Sequence, residues 1–136
     1  MIKEAKIVLE SFIREMKAWE MKWGRVLELS PHELFSEDGM ELRLTELVNI
    51  QNKYLSEKAL LMQQDRRITL TFGVPPEYDQ KIVNENVIND KTSEFVTVNN
   101  EEKECRVYTL VNEKLVWKID LMKIDSIDWK SSRQVF

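Results

Sequence analysis

The feature that most constrains this chain is an apolar stripe near its amino terminus, formed by Ile2, Ala5, Leu9, Phe12, Met16, Trp19 and Trp23. Their spacing alternates between three and four residues, which predicts an α-helix of about six turns. Gly24 stands where a C-terminal cap is expected. Because Trp19 and Trp23 continue the stripe, their pattern favours a place in the core over a ligand cage. So long a stripe needs a broad apolar partner.

Two further helical patterns follow. Ser30-Pro31-His32-Glu33 is typical of a helix start, with Ser30 as the cap, and Asp38-Gly39 predicts a turn that keeps this helix short. A second long pattern begins at about Met40 and runs through Leu44, Leu47, Val48, Gln51, Leu55, Ala59 and Met62.

After Arg67 the chain takes on β-branched and alternating character. Residues 68–72 predict a strand or extended exit, closed by Gly73 and Pro75-Pro76. Four more strands are predicted at Lys81–Ile88, Glu94–Val98, Glu104–Val111 and Leu115–Ile124. Their short polar connections indicate antiparallel hairpins. We therefore expect one α+β domain over residues 1–136, with a helical part at about 1–65 and a sheet part at about 66–128.

The composition of the chain argues against several classes of function. Twenty Lys and Arg residues against 24 Asp and Glu give a net charge of −4, which disfavours nucleic-acid binding, and the only tight basic pair is Arg66-Arg67. A single cysteine and a single histidine cannot form an internal disulfide or a zinc site of the usual kind. The chain has no apolar run of signal-peptide or membrane-spanning type. We expect a cytoplasmic protein without a cofactor.

Three segments of the chain resemble a known fold family. They are Gly73-Val74-Pro75-Pro76-Glu77-Tyr78-Asp79, Arg106-Val107-Tyr108-Thr109-Leu110-Val111 and Leu115-Val116-Trp117-Lys118-Ile119-Asp120. Together with the preceding helices, they are similar to the nuclear transport factor 2-like fold, closest to bacterial immunity proteins of polymorphic toxin systems. The resemblance implies a cystatin-like cone, in which a curved antiparallel sheet wraps around the N-terminal helix. Enzymes of that superfamily use the pocket of the cone, whereas immunity proteins bind a toxin on their surface.

Asp120 is the carboxylate nearest the hairpin that carries the resemblance, so it is the first candidate for a general base. If Trp117, Ile119 and Leu121 face the helix, strand alternation sends Asp120 to the opposite face. A solvated Asp120 is therefore expected.

The remaining candidates for chemistry have simpler structural interpretations. His32 follows a proline in a helical first turn and is expected at the surface. Asp38 is explained by the Asp38-Gly39 turn. Tyr54 could line a pocket mouth, but a tyrosine with its hydroxyl at the rim of a core is common. Cys105 opens a strand and is expected to pack as a small apolar residue.

Two groups of residues are candidates for binding a partner. Glu101, Glu102 and Glu104 crowd one hairpin connection and would attract a basic surface, although such runs are usually solvated turns. Trp129 and Phe136 follow the last predicted strand and either pack on the sheet or form an aromatic contact patch.

The leading hypothesis is an immunity protein that binds and neutralises a cognate bacterial toxin without catalysis. The alternative is a small-ligand-binding protein or enzyme that uses the cone pocket. A peptide-binding scaffold is a third option, and a homodimer through the sheet is left open.

Overall fold

The structure is a computed structural model that describes residues 4–63, 78–99, 104–126 and 132–134. The described helices are α1 (Ala5–Leu29), α2 (Pro31–Leu34), α3 (Glu37–Tyr54) and α4 (Glu57–Gln63). The described strands are β1 (Gln80–Asn89), β2 (Thr92–Asn99), β3 (Glu104–Glu113), β4 (Val116–Ser126) and β5 (Ser132–Gln134). They form one antiparallel sheet in the order β1-β2-β3-β4-β5. Helices followed by an antiparallel sheet confirm the predicted α+β class.

The apolar stripe of α1 is buried as predicted, from Ala5 to Trp23. Ile2 lies outside the described residues. The expected cap at Gly24 is wrong, because Gly24 is buried within the helix and α1 continues to Leu29. At 25 residues the helix is about 37 Å long. The indole N–H groups of Trp19 and Trp23 donate to α3, at 3.2 Å to the Arg43 carbonyl and 2.8 Å to Glu46 Oε1.

The corner between α2 and α3 differs from the expected turn. Pro31 occupies the start of α2 as predicted, but the side chain of Ser30 makes no capping hydrogen bond. The Ser36 hydroxyl instead caps α3 and accepts from the Gly39 N–H at 3.0 Å. Asp38 and Gly39 therefore lie in the first turn of α3. A Cβ atom at Gly39 would come within 1.9 Å of the Glu33 carbonyl oxygen, so only glycine permits this close approach.

The long helical pattern from Met40 to Met62 is divided into α3 and α4 at Leu55 and Ser56. Leu55 adopts an extended conformation and forms an isolated parallel bridge with Ile119 of β4. The Ser56 N–H donates to the Ile119 carbonyl at 2.9 Å. The Ser56 hydroxyl then accepts from the Ala59 N–H at 3.2 Å and starts α4. Contact with the sheet thus interrupts the helix.

The four predicted hairpin strands are all present, within a few residues of their expected ends. The short strand β5, which pairs with β4, was not predicted. The strand expected at residues 68–72 lies outside the described residues. In β1 the register with β2 shifts between Ile82 and Asn84 and again between Val87 and Asn89.

The core lies between α1 and one face of the sheet, which we call the inner face. The buried inner-face side chains of β2 and β3 lie directly opposite one another in pairs: Ser93 with Leu110, Phe95 with Tyr108, and Thr97 with Arg106. Ile119 and Met122 of β4 and Leu55 complete this layer. The inner face therefore gives α1 the broad cover that its stripe requires.

Candidate functional site

The centre of the inner face is occupied by aromatic rings. Phe12 of α1 is 1% exposed and makes edge-to-face contacts with Tyr54, Tyr78 and Tyr108, at ring-centroid distances of 5.8, 5.8 and 6.5 Å. Tyr108 is fully buried, and burial raises the pKa of its hydroxyl. Packing of this kind fills the place where the resemblance led us to look for a ligand pocket.

A buried cation lies beside these rings. Arg106 is 2% exposed, its Nε donates to Glu104 Oε1 at 2.9 Å, and its guanidinium carbon lies 4.7 Å from the ring centroid of Tyr78. Burial acts to lower the pKa of Arg106, but Tyr108, Tyr78 and Glu104 outweigh it and raise that pKa. The Tyr78 N–H donates to the buried Glu20 at 2.9 Å. These contacts join α1, Tyr78 and β3.

Glu15 and Tyr54 connect α1 to α3. The Tyr54 hydroxyl donates to one Glu15 oxygen, and Lys53 Nζ lies 2.6 Å from the other. Burial and the bond to Glu15 raise the pKa of Tyr54 to about 12. Burial acts to raise the pKa of Glu15, but the bonds from Lys53 and Tyr54 outweigh it, so that pKa is lowered. Both groups therefore hold their ordinary charge states near neutrality.

Asp120 is not the solvated residue that strand alternation predicts. Leu110 pairs with Ile119 while Thr109 pairs with Leu121, so Asp120 is the extra residue of a β-bulge. Beyond the bulge, Met122 is the buried residue of β4, in place of the predicted Leu121.

The bulge turns Asp120 toward the start of α4. Its side chain is 22% exposed, accepts from the Ser56 hydroxyl at 2.7 Å, and lies 3.3 Å from Lys58 Nζ. The contacts explain Asp120 as a structural residue that holds α4 against the sheet.

The groups that could serve in catalysis are thus committed elsewhere or lie apart. Glu15, Glu104 and Asp120 each form an ion pair. His32 is exposed on α2, and Cys105 is half-buried on β3. Within the described residues, no group of three or more His, Cys, Asp or Glu side chains could hold a metal ion.

Most of the predicted partner-binding residues lie outside the described ranges: Glu101, Glu102, Trp129 and Phe136. The structure places only Glu104, at the start of β3, where its side chain is 36% exposed and its carboxylate is bound to Arg106.

One small concavity lies where the amino terminus of α1 meets the β1–β2 turn. We call it the hairpin-end pocket; its volume is about 250 Å³, and its lining includes Glu4, Lys6, Glu85, Val87, Asp90 and Trp117. A larger open cleft of about 460 Å³ lies between α1 and the start of β1, beside the 2.8 Å ion pair of Lys17 and Asp79. Sequence reasoning did not single out the hairpin-end pocket, because its lining comes from segments far apart in the chain.

None of the described helices is both long enough and apolar enough to cross a membrane.

A long helix held on the inner face of an antiparallel sheet, with buried side chains at the centre of that face in the described part of the chain, is the arrangement of a nuclear transport factor 2-like (NTF2-like) domain. Residues 4–133 match the model of the family described as "NTF2 fold immunity protein", and the chain belongs to that family. Over 125 residues it is 29% identical to Immunity protein RhsIA of Dickeya dadantii (strain 3937), an alignment that covers 88% of this chain and 85% of that protein. No solved structure gives a significant match.

Membership of this family confirms the predicted NTF2-like fold and the predicted function, which is neutralisation of a toxin by binding rather than catalysis. It gives no support to the alternative of a ligand-binding or enzymatic cone. The family assignment agrees with the packing of described side chains at the centre of the inner face, since a protein that acts through its surface does not require an open centre.

Proposed function

We propose that this chain neutralises the toxin encoded by an adjacent reading frame, by forming a stoichiometric one-to-one complex with it in the cytoplasm. The observation that carries the proposal is the family match, which extends over nearly the whole chain. The interior supports it, because Phe12 and its tyrosine neighbours occupy the centre of the inner face. Binding must then use the surface of the domain.

Coexpression with the product of the adjacent toxin-like reading frame tests this proposal. We expect the two chains to copurify in equal amounts and the bacteria to grow when the toxin is induced. A chain that neither copurifies with that toxin nor restores growth would refute the proposed function. Restored growth without a complex would point to protection by another route and would contradict it equally.

The acidic connection before β3 and the aromatic tail remain our candidates for contact with the toxin. Glu101 and Glu102 would supply charge, while Trp129 and Phe136 would supply apolar area. Glu104 contributes less to this proposal, since its carboxylate already binds Arg106. Replacing Trp129 and Phe136 with alanine should weaken the complex if they contact the toxin, whereas unchanged affinity would remove them from the interface.

We expect the protein to bind neither nucleic acid nor membranes. A homodimer through the sheet remains a further prediction. Size-exclusion chromatography coupled to light scattering measures the mass of the free chain directly. A mass of one chain at micromolar concentration would contradict the dimer.

A further inference from the structure

The inner face of the sheet has an exposed margin along β1. Glu85 lies opposite the buried Phe95, and Val87 lies opposite the buried Ser93, so both residues belong to the inner face. Val87 is nevertheless 67% exposed, and Glu85 is exposed as well. In the described part of the chain, α1 and its neighbours therefore leave this margin uncovered.

The hairpin-end pocket lies at that margin and has an aromatic side. Trp117 is two residues before the buried Ile119 on β4, so it also belongs to the inner face, and it is half-buried against the core. The volume of about 250 Å³ is below the roughly 300–1,000 Å³ usual for small-molecule sites. A concavity of this size suits one inserted side chain better than a free metabolite.

The charges around the pocket favour a cationic side chain from a partner. Among the described residues, its lining carries three carboxylates, on Glu4, Glu85 and Asp90, and one ammonium group, on Lys6. None of the three carboxylates forms an ion pair with another described residue, unlike Glu15, which is paired to Lys53. The Glu85 carboxylate accepts only a long hydrogen bond, 3.4 Å, from the Ser93 hydroxyl. Carboxylates without an ion-pair partner beside an indole ring attract a cation both by charge and through the ring face.

A backbone hydrogen bond joins the two hairpins at the end of the sheet where the pocket lies. The Asn112 N–H donates to the Lys91 carbonyl at 2.8 Å and ties the end of the β3–β4 hairpin to the β1–β2 turn. Beyond Asn112, the β3–β4 turn holds Lys114 and Leu115 at φ angles of 52° and 66° and leaves Leu115 70% exposed. Leu115 precedes the pocket residue Trp117 by two positions and adds exposed apolar surface at this end of the sheet.

We propose that the hairpin-end pocket receives an arginine side chain of the cognate toxin. Arginine fits better than lysine because its planar guanidinium both stacks on an aromatic ring and binds carboxylates through two N–H groups. The inserted arginine would lie against Trp117, with Glu85 and Asp90 as acceptors. The inference rests on the proposed function and adds to it the position and chemistry of one anchoring contact.

The test begins with the affinity of the wild-type protein for a catalytically inactive form of the adjacent reading frame's toxin, measured by isothermal titration calorimetry. The double variant E85K/D90K should then weaken the complex at least about tenfold and reduce its dependence on salt. Both side chains are exposed, so the fold should survive, and thermal unfolding checks this. Trp117→Ala should weaken binding, while Trp117→Phe should retain most of the affinity.

A matched control separates the pocket from general charge effects. The variant E37K/E41K reverses two exposed carboxylates on α3, which lie outside the hairpin-end pocket, and should change the affinity by less than about threefold. If the wild-type protein binds and the two double variants lose affinity equally, the assignment of the pocket as a contact site is overturned, since only net charge would then matter. If the wild-type protein binds and the affinity of E85K/D90K stays within threefold of it, the assignment of the pocket is also overturned, while the proposed function stands. A wild-type protein that neither binds nor protects would refute the proposed function itself, and the inference with it.

The arginine is identified from the side of the toxin. Each toxin arginine is replaced by alanine and combined with Glu85→Gln in a double-mutant cycle, which isolates the energy of one pair. One arginine should show coupling equivalent to at least a threefold change in affinity. Absence of coupling for every arginine would overturn the assignment of the occupant.

Discussion

Replacing Phe12 with alanine should lower the free energy of unfolding by about 4–5 kcal/mol, a large share of what a domain of this size has available. Phe12 is 1% exposed and contacts three tyrosine rings edge to face. Truncation of a buried phenylalanine costs about 3–5 kcal/mol, and each aromatic pair contributes about 0.5–1.5 kcal/mol beyond its buried area. Three such pairs place Phe12 in the upper part of the range.

Urea unfolding followed by far-ultraviolet circular dichroism measures this loss. With a slope of about 2 kcal/mol per molar urea, the midpoint should fall by about 2 M. Phe35→Ala is the matched control, because Phe35 is 66% exposed and its loss should cost less than about 0.5 kcal/mol. A Phe12→Ala variant that loses less than about 1.5 kcal/mol would refute the placement of this ring at the centre of the core.

Three further changes test other contacts. Ser56→Ala removes the cap of α4 and a bond to the sheet, so urea unfolding should show a loss of about 1–2 kcal/mol. Glu15→Gln should make the free energy of unfolding fall less steeply as the pH is lowered into the acid range. The pKa of Glu15 is lowered in the folded protein, so its carboxylate contributes fully to stability above the ordinary value of 4.5 and loses that contribution as the pH falls below it. Asn-Gly in place of Lys114-Leu115 should stabilise the protein by about 1 kcal/mol in thermal unfolding, because both positions have positive φ angles.

Each of these expectations has a contrary result. Wild-type stability in Ser56→Ala would show that the hydroxyl adds nothing to the junction of α3 and α4. If the free energy of unfolding falls as steeply with decreasing pH in Glu15→Gln as in the wild type, the acid sensitivity comes from other carboxylates. A lower melting temperature for the Asn-Gly turn would mean that the side chains of Lys114 and Leu115 contribute more than their backbone strain costs.

The helical half was predictable wherever its own periodicity determined the outcome. The stripe of α1 repeats for most of the helix, so its burial follows from spacing alone. The prediction of a C-terminal cap at Gly24 was wrong because a buried glycine inside a helix and a glycine cap look alike in sequence. The division at Leu55 and Ser56 was hidden for another reason. Leu55 and Ala59 keep helical spacing across it, and the break depends on the carbonyl of Ile119, which is distant in the chain.

The sheet was predictable in its strands and hairpins but not in its irregularities. Alternation correctly placed Trp117 and Ile119 on one face. It failed at Asp120, because one extra residue reverses the faces of everything that follows. No local signal marks this bulge, and the Ser56 and Lys58 side chains that contact Asp120 come from the helical half of the chain.

The hairpin-end pocket was beyond sequence reasoning for a related reason. Its carboxylates come from the amino terminus of α1, from β1 and from the β1–β2 turn, and they meet only when the sheet is folded. Acidic residues crowded along the chain drew attention to Glu101, Glu102 and Glu104 instead. Clustering in sequence and clustering in space are different properties, and only the second creates a concavity with a charged rim.

The two register shifts in β1 have a consequence for the protein at high concentration. A strand at the end of a sheet offers free N–H and C=O groups to a further strand, which is a route to ordered aggregation. In β1, regular pairing between the shifts extends only from Asn84 to Val87. A second copy could extend this end of the described sheet over that short stretch alone, and Glu85 would place a charge within it. The two shifts and this charge therefore disfavour the addition of further copies along the described edge at high concentration.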